Sequence, residues 1–217
     1  EMSKKIKKKD AIYQQKSAVS LKNGKIFVAG IEPPSAYGSN TNVEANIYDP
    51  ITNTYGNGLT FNDAQSKYIS CVELKENNVY CFYVSYEYYP VSKLRIKHIK
   101  VNDMTLTSTD NENKKVIKTF YTDFNFIKAV PFNDREALVL FQTGNNKKYP
   151  RYGNTGMDLY FYHLEINEDD VHVKRYEYLT DNCIYREDPE DYNADIAVLS
   201  KNYIYVTGQQ VTETKQF

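Results

Sequence analysis

Three histidines, three cysteines and a set of acids and tyrosines are the groups that could do chemistry in this 217-residue chain. His98, His163 and His172 fall inside strand-like alternations, and none belongs to a nucleophile elbow, an HExxH pair or a glycine-rich phosphate loop. Glycoside hydrolysis would need two carboxylates at a fixed separation, and the residue order singles out no such pair. Cys71 and Cys81 are too far apart for a CxxC motif and Cys183 is remote from both, so a structural metal is not expected. The first two cysteines flank the turn at residues 75–78. An odd-length loop sets them opposite one another and an even one turns them to opposite faces, which leaves a hairpin disulfide and free buried thiols both open. No catalytic residue, metal ion or cofactor is expected.

Binding chemistry is better represented. Tyr37 follows Pro33-Pro34, Tyr86, Tyr88 and Tyr89 precede Pro90, and Tyr149, Arg151 and Tyr152 surround Pro150. Tyrosine and arginine offer large, partly rigid contact area, and proline lowers the entropy cost of ordering a loop, so these segments suit recognition of a protein. The acidic stretch at residues 186–195, with Asp188, Glu190 and Asp191, suits a basic partner; it lacks the ligand order of an EF-hand. Lys4, Lys5, Lys7, Lys8 and Lys9 read as a solvated segment. Lys plus Arg number 27 against 28 Asp plus Glu, a net charge of −1, so no overall field draws nucleic acid or an anionic membrane. No apolar run approaches the ~18 residues of a membrane-spanning helix. The chain has no Asn-x-Ser/Thr site, which leans toward an intracellular, non-glycosylated setting.

The elements that must position these groups are strands. With 21 Tyr, 10 Phe and no Trp, the aromatic composition favours β structure. Residues 17–21, the dipeptide Asn23-Gly24 and residues 25–30 read as a hairpin closed by a type I′ turn. Residues 44–48 follow, and Asp49-Pro50 turns the chain into a weak fourth strand at Thr54-Tyr55. The plan recurs at residues 69–108 and 126–179 and begins again at 195–208, with first turns roughly 53 to 68 residues apart. Residues 116–121 and 186–191 could each hold one helical turn. Serial four-stranded antiparallel sheets can cover each other's faces by packing around an axis, the β-propeller solution, with a two-sheet sandwich as the rival.

Residues 21–30, Leu-Lys-Asn-Gly-Lys-Ile-Phe-Val-Ala-Gly, followed by residues 45–55, Ala-Asn-Ile-Tyr-Asp-Pro-Ile-Thr-Asn-Thr-Tyr, resemble one blade of the kelch repeat, the family that includes the central domain of galactose oxidase. The usual paired glycines after the second strand are reduced here to Gly30, Gly144 and Gly208, and Tyr55 stands where the family has Trp. The resemblance implies an all-β propeller, with residues 1–16 a Lys-rich segment or closing strand and blades at about 17–60, 67–110, 125–180 and 194–217. Such a partial ring is expected to be completed by further blades of its own chain or of another subunit. A four-bladed ring closed by residues 4–15 is the alternative. Tyr162-His163 resembles the adjacent copper ligands of galactose oxidase, yet strand alternation points the two apart. The expected function is a non-catalytic propeller that binds a protein partner or joins an assembly through its Tyr/Pro loops. The alternative is a carbohydrate-active or other propeller enzyme whose site lies partly outside these residues.

Overall fold

Short apolar runs broken by Asn, Asp and Gly do fold as strands. The computed structural model describes residues 15–31, 41–63, 66–88, 91–108, 115–121, 124–144, 157–167, 170–183, 194–200 and 203–207. Among them there are four antiparallel sheets and no helix. The first sheet contains β1 (Gln15–Ser20), β2 (Ile26–Ile31), β3 (Thr41–Asp49), β4 (Thr54–Tyr55) and β5 (Leu59–Asp63). The second contains β6 (Ser66–Glu73), β7 (Asn78–Tyr88), β8 (Val91–Asn102), β9 (Thr105–Ser108) and β10 (Lys115–Phe120). β11 (Phe124–Asn133), β12 (Glu136–Gly144), β13 (Met157–Asn167) and β14 (Asp170–Cys183) form the third, and β15 (Asp195–Ser200) with β16 (Tyr203–Thr207) the fourth. None of these elements is a helix long and apolar enough to cross a membrane.

The first three sheets are meanders, and in the first two the outer position differs from the expected single strand. β4 and β5 both pair with β3, and β9 and β10 both pair with β8, so two short strands share one edge. The helical turn expected at residues 116–121 is instead mostly β10: Lys115, Val116 and Lys118 are set opposite Ile96, Arg95 and Leu94, and that ladder outweighs the local sequence. The first turn also differs in type. Gly24 has φ +84° while Asn23 is not left-handed; Gly24 N–H donates to Leu21 O (2.9 Å) and Leu21 N–H to Lys25 O (2.8 Å). That is a type I turn with a one-residue bulge rather than type I′. The second sheet repeats it at the same offset, with Asn77 at φ +64° and Leu74 N–H donating to Asn78 O (3.2 Å).

The sheets stack face to face in series. Along β7, Val79, Cys81 and Tyr83 point into a core shared with Phe27, Val43 and Ile47 of the first sheet. The alternate residues Phe82 and Val84 enter a second core with Phe124, Val139 and Phe141 of the third. β12 divides likewise, its Leu138 and Leu140 packing toward Ile196 of the fourth sheet. The second and third sheets are therefore covered on both sides, which a two-layer sandwich does not provide. Moreover, the first strand of each sheet lies against the first strand of the next: β1 on β6, β6 on β11, β11 on β15. Serine hydroxyls stitch this seam. Cys71 N–H donates to Ser17 Oγ (2.8 Å), Ala129 N–H donates to Ser70 Oγ (2.9 Å), and Lys128 pairs with Asp195 (3.4 Å).

Candidate functional site

The sheets present two ends, one formed by the first hairpin turns and one by the connections from second to third strand. The groups expected to bind a partner fall mostly in segments that the sequence assigns to the second end. Tyr37, Tyr89, Tyr149, Arg151, Tyr152, Asp188, Glu190 and Asp191 lie outside the described residues, as does the 186–191 stretch. Tyr88 is the last residue of β7, set opposite Val91, so only Tyr89-Pro90 links β7 to β8. The loop expected at residues 86–90 is shorter than its composition suggests, because the pairing of Tyr86 with Ser92 and of Tyr88 with Val91 extends the ladder through residue 88.

Tyr86 belongs to the wall of the fold. Its residue is 8% exposed, and its hydroxyl accepts a hydrogen bond from Phe124 N–H (3.0 Å), so it ties the second sheet to the start of the third. Lys67 Nζ lies 5.1 Å from the centre of its ring. Among the described residues this end carries a charged cluster: Glu87 pairs with Lys93 and lies 3.7 Å from Arg95, whose Nε donates to Ser85 Oγ (2.6 Å).

The opposite end is a network of turns. Glu73, only 6% exposed, accepts Lys22 N–H on one carboxylate oxygen (2.6 Å) and Asn77 N–H on the other (2.8 Å). Lys22 Nζ donates to Leu74 O (2.7 Å) and to Asp134 (2.8 Å), so one lysine touches turns of the second and third sheets. Asn23 donates to Asn77 (2.8 Å), Lys25 pairs with Asp103, and Asn57 N–H donates to Met104 O (2.9 Å). The Lys22 ammonium holds the Asp134 carboxyl below its ordinary range. Sequence reading singled out none of these residues for a site. The available signal was the repetition of Leu-Lys at residues 21–22 and 74–75, at the first sharp turn of two successive units.

His163, His172, Cys71 and Cys81 make contacts within and between the strands. His163 Nε2 lies 2.8 Å from Glu136, which also accepts Lys174 (2.6 Å) and Asn133 (3.0 Å). The Lys174 hydrogen bond, with a smaller contribution from His163, holds Glu136 below the usual carboxylate range against the opposing effect of burial. His163 is set opposite Arg175, and His172 opposite Glu165, so the two do not meet across their hairpin; His172 pairs with Asp170 (3.0 Å). Tyr162 turns into the core between the second and third sheets, away from the face where His163 packs on Phe132. Burial pushes the Tyr162 hydroxyl up to about 12. Cys71 and Cys81 face each other across β6 and β7 with Cα atoms 4.0 Å apart and are joined as a disulfide inside the first core. Among the described residues no group of three or more His, Cys, Asp or Glu side chains is arranged to hold a metal. No family model, curated protein or solved structure matches this chain.

Proposed function

We propose that the chain contributes successive blades of a kelch-like β-propeller and serves as a non-catalytic module that binds a protein partner. The observation that carries this reading is the side-by-side order of β1, β6, β11 and β15, the first strands of four sheets stacked in series. First strands in that order are what blades around a common axis require, since each blade then packs its face on the next. The buried Glu73 and the partly buried Glu136 support a scaffold because both bind residues of neighbouring turns and strands. The fourth sheet carries exposed Leu199, Tyr203 and Tyr205 on two strands, which supports completion by further blades of the same chain or another subunit. The disulfide supports folding in an oxidising compartment, contrary to the intracellular setting suggested by the missing glycosylation site.

The partner surface in this reading is the end carrying Tyr88, Tyr89, Tyr149 and Arg151, with Asp188, Glu190 and Asp191 reaching the same rim. Replacing Tyr88, Tyr89, Tyr149 and Arg151 together by alanine is expected to abolish capture of partners in cross-linking pull-downs while leaving the circular dichroism spectrum and Tm unchanged. Undiminished capture by the folded variant overturns the assignment.

A further inference from the structure

A cleft of about 540 Å³ opens between the second and third sheets at the turn end, away from the Tyr/Pro rim. Its volume falls within the ~300–1,000 Å³ of small-molecule sites. The cations on its walls are Lys75 and Lys100 from the second sheet and Arg135 from the third. Among the described residues none of their side chains makes a hydrogen bond or direct ion pair; Asp134, the acid on the same lining, is engaged by Lys22 and attracted more weakly by Lys75. The three cations outnumber that one acid, so the lining is positive on balance in a chain whose overall charge is −1.

The remaining lining is of a particular kind. Asn102 and Asn167 line the cleft from the second and third sheets as exposed residues, each side chain carrying amide donors and an acceptor. Asn78 is held, its Oδ1 meeting His98 Nε2 (2.9 Å) and its amide donating to Glu76 O (2.9 Å). Tyr80 stacks on His98 with ring centroids 4.4 Å apart and lines the cleft beside Ile166. Amides that both give and accept hydrogen bonds match hydroxyl groups, which do the same. Cations contributed by two walls match oxyanions distributed along a ligand better than a single terminal group.

We propose that this cleft binds an acidic saccharide, with its sulfate or carboxylate groups at Lys75, Lys100 and Arg135 and its hydroxyls at Asn102 and Asn167. The proposal needs only the second and third sheets and stands whether or not the blades close into a ring. Titrating the full chain with a sulfated, uronate-containing tetrasaccharide is expected to give saturable heat and to move the amide resonances of residues 75–78, 100–102 and 135. Lys100→Ala with Arg135→Ala should weaken it by about tenfold or more, since a hydrogen bond to a charged group is lost at each position. Lys118→Ala, at the other end of the second sheet, should leave it unchanged, and Asn102→Ala with Asn167→Ala should weaken it while the spectrum of the free protein stays folded. Four results overturn the proposal: no binding; binding untouched by the double cation variant; equal affinity for a neutral tetrasaccharide; or equal affinity for inorganic sulfate or a mononucleotide, which would reduce the cleft to an anion site.

Discussion

Glu73 is a buried carboxylate whose two oxygens accept two backbone N–H groups from different hairpins. A buried donor that loses its partner retains the desolvation cost, so Glu73→Ala should lower stability by about 1–3 kcal/mol in urea unfolding. No loss would mean that water replaces both contacts. Glu136 gives a pH-dependent counterpart. Its carboxyl is held below the ordinary value of about 4.3, so it contributes stability above that value and loses it as pH falls through the lower folded value. The stability gap between wild type and Glu136→Gln should therefore close on acidification below about pH 4, and a gap independent of pH contradicts the ion-pair account. Residues of this kind were hard to read in sequence: Ser17, Ser70 and Glu73 occupy strand positions where a polar side chain reads as facing solvent, and each has a partner 51 to 59 residues away.

At the scale of elements, the strands were legible because period-two alternation and turn residues agree along most of the chain. The turn type was not, because Asn-Gly fits two geometries, and the five-residue loop asks for a left-handed residue at one position only. Tyr86 was misread for a related reason: a Tyr/Pro-rich run resembles a loop until its pairing across to Ser92 is known. The break between β4 and β5 offers a test of how neighbouring sheets are joined. A Cβ on Gly56 would lie 2.0 Å from Met104 O, a backbone atom of the adjacent sheet, while one on Gly58 would meet Asn46 Oδ1 at 3.0 Å, a side chain that can move. Gly56→Ala should cost about 1–3 kcal/mol by overpacking and deprotect Asn57 N–H, with Gly58→Ala markedly milder. Equal melting temperatures for the two variants would contradict a backbone-limited seam.

For the whole molecule, burial is uneven. β7 and β12 are covered on both faces, whereas β15 and β16 expose Leu199 (71%), Tyr203 (70%) and Tyr205 (58%). Local opening follows the number of buried apolar contacts, so amides of β15 and β16 should exchange first and those of β7 and β12 last. Uniform protection would mean that the four sheets unfold as one unit. Repetition made the serial sheets visible from sequence; their stacking order depends on contacts between first strands that no local pattern encodes.

The Cys71–Cys81 bond lies in the core that also holds Phe27 and Tyr83, with both sulfur-bearing residues almost wholly buried. An oxidant that arrives once those rings have closed finds the thiols walled off. The crosslink forms most readily while its hairpin is still bare. It is thus a record of chronology: a chain matured among reductants would keep two sealed thiols for as long as it stayed folded, and later exposure to air would not repair it.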